Sequence, residues 1–281
     1  MQAGQPSRTA LMVAIQRAAH QVLEGGVIFA DPLAMRILGA EGDKLVKELK
    51  DDPFSRALRQ YVVVRARIAE DALVSAVERG TRQLVILGAG LDTTAYRVAP
   101  GVRLRVFEVD FPATQEWKRS MLAAAGIALP KTLVFAPVDF EHQTLAEGLA
   151  AAGVDRTLPT FFSWLGVVPY LTPEAFAATL SYIAAWQSRT QVVFDYANAP
   201  ESLSGEGRNM HEGFAARVAA AGEPFRNFLD TEDLHRQLQA LGFTIVEDLG
   251  MKQIAARFAP EQVPHMQERG GHILRAVTAG P

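Results

Sequence analysis

Gly88, Ala89 and Gly90 follow directly on the apolar run Leu84-Val85-Ile86-Leu87. Asp110 comes about 20 residues later, the spacing at which a carboxylate meets a ribose bound at such a turn. Two glycines in a tight turn let a ligand lie against bare backbone, because no Cβ stands in the way. A carboxylate suits a ribose because it only accepts hydrogen bonds, and the diol offers two donors. Together these residues point to a nucleoside held across neighbouring strand tips. Glu108 has the same strand parity as Asp110 and competes for the role. The third glycine of the dinucleotide fingerprint is missing, since Thr93 occupies its place.

Such residues must be carried by a sheet. The run from Leu84 reads as a strand buried on both faces. Strands are expected at 84–88, 104–109, 132–138, 159–164 and 190–195, separated by helices near 92–97, 112–125, 142–152 and 173–187. Asp92, Thr93 and Thr94 supply cap chemistry for the first of these helices. Strands alternating with helices predict a parallel, doubly wound sheet. A helix over 231–241 precedes two closing strands, 243–249 and 272–278. Their connection holds Pro260, Pro264 and no expected helix, so the last pair should run antiparallel. The fold class is therefore α/β, a Rossmann-like doubly wound sheet of seven strands with the last antiparallel.

Upstream, Leu11, Ile15, Ala18 and Val22 form one apolar stripe on a helix over 8–23. Asp31 and Pro32 should cap and open a second helix, and a short charged one fits 43–50. A long helix over 54–79, ended by Gly80, carries Arg56, Arg59, Arg65 and Arg67. A guanidinium fork there is well shaped for an anion, and Glu70, Asp71 and Glu78 are the alternative partners. Residues 1–80 thus form an N-terminal helical cap and 81–281 the nucleoside-binding domain. Residues 199–229, rich in Gly, Ala, Glu and Arg, form a lid insertion within it.

The 281 residues are 49% apolar, enough for a sizeable core. A net charge of −3 gives no support to nucleic-acid binding through phosphates. The chain has no cysteine, which excludes disulfides and thiolate chemistry and fits a cytoplasmic protein. No secretory signal is expected, and the apolar run 161–171 is too short to span a bilayer. The histidines have no metal-ligand spacing such as H-E-x-x-H, so no metal is assigned.

The chain resembles the leucine carboxyl methyltransferase family, in its bacterial branch of S-adenosylmethionine-dependent methyltransferases. The resemblance rests on GAGLDTTAYR after Leu87, EVDFP at Glu108, VDFE at Asp139 and PYLTPEA at Pro169. RAAH at Arg17, DPLA at Asp31 and the spaced Arg65 and Arg67 add to it. It implies a methyltransferase sheet with S-adenosyl-L-methionine as cofactor. Gly88 and Gly90, with Ala89 between them, would pass under its methionine part. Asp110, with Phe111 beside it, would bind the ribose. Asp139 and Phe140 would hold the adenine, and Arg65, or else Arg67, would meet the carboxylate. The chain departs from the family pattern at Leu165, where many relatives carry a Glu that would contact the cofactor's amino group.

The expected activity is O-methylation of a carboxylate or hydroxyl on a small molecule by direct in-line transfer. A carboxylate needs no base, whereas a phenol or alcohol gains from one. His20 and His211 are the base candidates, the first on the N-terminal helix and the second in the lid. Tyr170 and Tyr196 lie where substrate contacts would form. A nicotinamide-dependent oxidoreductase on a similar sheet and a non-catalytic nucleotide-binding partner protein are the alternatives.

Overall fold

The computed structural model describes residues 7–99, 101–139, 142–203, 205–220, 224–266 and 270–279, without the side chains of residues 206, 210, 214, 262 and 265. Its seven strands form one sheet, in the spatial order 133–137, 105–110, 83–87, 160–164, 190–197, 271–278 and 243–250. The chain divides into two compact units, residues 1–154 and 155–281.

The first unit opens with α1 (Arg8–Leu23), capped by the Ser7 hydroxyl, which accepts from the Ala10 N–H at 3.1 Å. α2 (Ala34–Leu38), α3 (Gly42–Glu48) and α4 (Pro53–Glu78) follow. Asp52 caps α4 by accepting from the N–H groups of Phe54 and Ser55, and Pro53 takes the first helical position. Ala14, Ala18 and Ala19 bury the small-residue face of α1 in a core with Ile37, Leu91 and Leu122. β1 (Gln83–Leu87), β2 (Arg105–Asp110) and β3 (Leu133–Pro137) run parallel, with Leu87 level with Val109 and Asp110 level with Pro137. α5 (Pro112–Ala124) and α6 (Leu145–Ala151) complete the unit. Thr144 and Glu147 close a capping box on α6.

The second unit holds β4 (Thr160–Trp164), α7 (Pro173–Ala184), β5 (Thr190–Ala197), α8 (Gly205–Ala220) and α9 (Thr231–Ala240). It ends with β6 (Phe243–Gly250), α10 (Met251–Phe258) and β7 (Gly271–Thr278). β4 and β5 are parallel, and every residue of β5 is buried. β7 lies between β5 and β6 and is antiparallel to both. Trp164, Phe176 and Phe194 pack as neighbouring rings 5.5–5.9 Å apart at the centre of this unit.

Three local expectations are corrected. Residues 92–97 form no α-helix, only a 3₁₀ turn at Thr94–Tyr96. The segment is too short to repay helix nucleation, and the Asp92 carboxylate closes a turn by accepting from the Thr94 N–H at 2.7 Å. α2 starts at Ala34 rather than Pro32: the Asp31 carboxylate accepts from the Leu33 N–H at 3.1 Å and closes a turn ahead of the helix. The connection between the last two strands does contain a helix, α10, whose buried Ile254 and Ala255 give it an inner face.

Candidate functional site

The parallel ladder runs on past the end of β1. The N–H groups of Gly88 and Ala89 both donate to the Val109 carbonyl, at 2.9 and 3.0 Å. This draws the glycine turn level with the tip of β2. Gly88 (φ +67°) and Gly90 (φ +43°) both take the left-handed conformation that only glycine adopts without strain. Gly88 is exposed, so its backbone is open to a ligand, while Ala89 and Gly90 are buried. Gly90 faces α1: a Cβ there would lie 2.9 Å from the Ala10 methyl.

Asp110 clamps this turn. One carboxylate oxygen accepts from the Gly90 N–H at 2.6 Å and the other from the Phe111 N–H at 2.7 Å. A carboxylate has about four acceptor positions, so both oxygens retain lone pairs for further donors. Burial pushes the Asp110 carboxyl above its ordinary range, opposed by the two backbone N–H groups and by Lys118. Asp139 follows on the neighbouring strand, two residues beyond the end of β3. Its carbonyl accepts from the N–H groups of His142 and Gln143, and its half-buried carboxylate lies 3.0 Å from His142 Nδ1. Phe140 lies outside the described residues.

Glu108 does not share the ribose position with Asp110. It is fully buried in mid-strand, with Lys118 Nζ of α5 2.7 Å from Oε2. The Lys118 ammonium also lies 5.5 Å from the centre of the Tyr96 ring. Burial pushes the Glu108 carboxyl up to about 7, against the pull of Lys118.

The arginines separate into different environments. Arg65 is buried on α4, with its guanidinium 5.8 Å from the Tyr61 ring centre. Arg67 is exposed and forms an i,i+4 pair with Asp71 at 2.9 Å. Arg59 is buried and pairs with Glu24 at 2.7 Å.

A buried polar network explains several of the recognisable runs. Arg17 of α1 donates to both Asp31 and Thr93, and Thr93 donates to Asp31 at 2.8 Å. Arg97 donates to Thr93 at 3.1 Å and pairs with Glu70 of α4. Against the opposing effect of burial, Arg17 and Arg97 hold the Asp31 carboxyl below its ordinary range. RAAH, DPLA and the TTAYR end of the glycine run thus meet in one cluster that fastens the helical segment to the turn. Sequence spacing flagged these runs without revealing that they answer each other.

The base candidates also separate. His20 is buried, with Nδ1 2.7 Å from Glu24 Oε2, and Nε2 receives the N–H groups of Ile28 and Phe29 at 3.3 and 3.4 Å. Both ring nitrogens are occupied by the protein's own groups, so the residue braces the loop after α1 and has no free nitrogen for a substrate. His211 lies on α8 with its ring 5.9 Å from Phe228. Burial lowers its basicity, opposed by a backbone hydrogen bond with Asn198. Among the described residues its buried Nε2 has no hydrogen-bond partner. Tyr170 ends the 3₁₀ turn Val168–Tyr170 and meets the Phe225 ring edge-on at 5.4 Å. Tyr196 lies inside β5, where its hydroxyl donates to Asp248 at 2.7 Å and its ring stacks on His272. Packing, rather than substrate contact, accounts for it.

Sequence reasoning passed over Asp195. It is buried on β5 and accepts from the Gly166 N–H at 2.5 Å, holding the loop that starts with Leu165. His235 and His272 likewise went unassigned; both point at Asp248.

The family model for leucine carboxyl methyltransferase matches residues 10–184. The chain is 30% identical over 280 residues to a Bacillus subtilis (strain 168) protein named "Putative S-adenosyl-L-methionine-dependent methyltransferase YktD", covering 90% of this chain and 91% of that one. It is 35% identical over 198 residues to a similarly named protein of Saccharopolyspora erythraea, covering 66% of each. Among solved structures it is similar to a Thermobifida fusca YX protein described as "a putative methyltransferase", with a TM-score of 0.57, 17% identity and coverage of 99% and 97%. A DUF574 family protein from Streptomyces avermitilis follows, with a TM-score of 0.55, 18% identity and coverage of 84% and 91%. These structures share the fold. Neither the oxidoreductase reading nor the non-catalytic one finds support among the relatives. The chain belongs to the leucine carboxyl methyltransferase family and is an S-adenosylmethionine-dependent methyltransferase.

Proposed function

We propose that the tips of β1, β2 and β3 hold S-adenosyl-L-methionine and that the chain O-methylates a carboxylate or hydroxyl on a small molecule. The carrying observation is the Asp110 clamp, which fixes the glycine turn through Gly90 and keeps lone pairs for a diol. In this reading Gly88, Ala89 and Gly90 offer backbone to the methionine part. Asp110 and Phe111 hold the ribose, Asp139 takes the adenine amine, and Arg65 meets the carboxylate. These are donor-to-acceptor and cation-to-anion matches throughout, so the residues suit the group. When bound, the cofactor supplies a methyl carbon activated by a sulfonium. The protein's task is to align the accepting oxygen, exclude water and, for a hydroxyl, take its proton. Tyr170 and His211 are the acceptor-side candidates. His20 is left out, because its nitrogens serve the loop after α1.

Calorimetry with S-adenosylhomocysteine tests the cofactor residues. Asp110→Ala should weaken binding tenfold or more, roughly the loss of one or two charge-assisted hydrogen bonds, while Asp92→Ala should change it far less. Equal losses would mean that the ribose lies elsewhere. Transfer of labelled methyl to a panel of carboxylic acids, phenols and alcohols tests the reaction. Tight cofactor binding with no transfer to any of them would remove the small-molecule assignment.

A further inference from the structure

Lysine ordinarily faces outward from a helix, because a buried ammonium costs free energy unless an opposite charge answers it. Lys118 is an exception. It lies on the inner stripe of α5 with Thr114, Gln115 and Leu122, and is only 1% exposed. α5 starts two residues after Asp110, and its Gln115 side chain donates to the Glu108 carbonyl at 2.6 Å. That bond seats the stripe against β2. Glu108 and Asp110 share one side of the strand, since they have the same parity. Asp92 acts on Glu108 from the turn after β1. One buried cation thus sits among several carboxyl groups, all within the first unit.

Which of them it serves depends on where the protons are. Glu108 approaches Nζ to 2.7 Å, but an ammonium carries three donors, so this contact does not exhaust it. Burial lifts the Glu108 carboxyl to about 7 against the pull of Lys118, with Asp92 and Asp110 adding to the lift. Below that pH Glu108 is a neutral acid. Tyr96, whose ring centre lies 5.5 Å from Nζ, is kept a neutral phenol by burial and by Glu108 and Asp92. Asp92 has its own cation, the Arg17 guanidinium of α1 at 3.7 Å. Asp110 remains. Burial pushes its carboxyl up, and the groups that oppose this are the N–H groups of Gly90 and Phe111 and one side chain, Lys118.

We infer that Lys118 is a positioning residue for the cofactor: its buried ammonium is the countercharge that holds Asp110 as a carboxylate, the acceptor form that a ribose diol needs. This rests on the proposed ribose role of Asp110 and adds the residue that sustains it. A protonated Asp110 would spend an oxygen on its own hydrogen and loosen its hold on the Gly90 and Phe111 N–H groups, so the glycine turn and the ribose would be released together. Lys118 acts through Asp110, without a contact of its own to the ligand.

The test is calorimetry of S-adenosylhomocysteine binding to the full chain as pH is lowered from about 8 to about 4.5. Wild-type affinity should hold until Asp110 takes a proton and fall below that point. Lys118→Met should bind within about threefold of wild type at the alkaline end, and its acid fall should begin at least about one pH unit higher. Glu108→Gln should leave the acid fall where wild type has it, because Glu108 is already neutral there. Lys118→Met combined with Glu108→Gln removes both buried charges, which guards against misfolding of the single variant, and it should keep the shifted fall. In wild type itself, the Lys118 Nζ resonance should step at the pH where the Asp110 carboxyl carbon titrates, apart from any step of Glu108 near 7. An unmoved acid fall, a loss equal at every pH, a double variant restored to the wild-type profile, or no step shared by Lys118 and Asp110 would each overturn the inference. Failure of the cofactor reading looks different: wild type would not bind S-adenosylhomocysteine, or Asp110→Ala would bind it as wild type does.

Discussion

Two acids two places apart on β2 have different fates, and the difference is depth. Asp110 stands at the strand tip, where backbone N–H groups and a ligand can both reach it, while Glu108 lies in mid-strand against Lys118. Strand parity makes the two look alike; their distance from the strand end separates them. The buried pair gives a prediction about pH. The Glu108 carboxyl is raised from 4.5 to about 7, so between these values the folded state holds a proton that the unfolded state has released. Stability from this group therefore falls as pH rises through that window, by up to about 3 kcal/mol at roughly 1.4 kcal/mol per pKa unit. Glu108→Gln mimics the protonated acid and escapes the loss. Urea unfolding should find the variant close to wild type at pH 5 and increasingly more stable toward pH 8. A difference that stays constant, or moves the other way, would show that the pair is ionised throughout.

At the scale of elements, α1 and the glycine turn form one device. Gly90 has a left-handed φ of +43° and no room for a Cβ beside Ala10. The sequence announced the glycines as a ligand contact; that a helix also demands the smallness of Gly90 depends on how α1 docks, which no local pattern encodes. Gly90→Ala should lose roughly 1–2 kcal/mol from the backbone conformation alone and more from the overlap with Ala10. Ala10→Gly in the same chain removes the overlap while adding about 1 kcal/mol of helix cost. A double-mutant cycle should thus give a favourable coupling above about 0.5 kcal/mol. Simple additivity would mean that α1 shifts freely to accept the methyl. The absence of the expected helix at 92–97 has a related cause: Asp92, Thr93 and Arg97 carry helix-compatible chemistry, yet their side chains are drawn to Thr94, Asp31 and Glu70.

Over the molecule as a whole, several strands were legible as short apolar runs with a marked end, such as 84–87 before Gly88 and 133–136 before Pro137. The antiparallel last pair was expected from a connection without a helix; the pair is antiparallel, yet the connection carries α10, so the orientation did not come from that feature. The position of β7 between β5 and β6 had no local signature, because pairing across a sheet is set by side chains far apart in sequence. The same holds for charges. Arg17, Asp31, Glu70, Thr93 and Arg97 lie on four separate stretches and become one network only in the folded first unit. That network makes a prediction about the stability of the fold. Asp31 is fully buried between two guanidinium groups, so Asp31→Asn leaves two buried cations with less countercharge and should cost about 3–5 kcal/mol near neutral pH. The Asp31 carboxyl is held below its ordinary value of 3.8. Its stabilisation is therefore complete above that value and is lost only as pH falls through the lower folded value. Denaturant unfolding of wild type and Asp31→Asn should show a constant gap from pH 8 to pH 5, closing only in stronger acid. A gap that closes between pH 7 and pH 5 would assign the effect to a group other than Asp31, and a gap near zero would mean that Glu70 and Asp92 hold both arginines without Asp31.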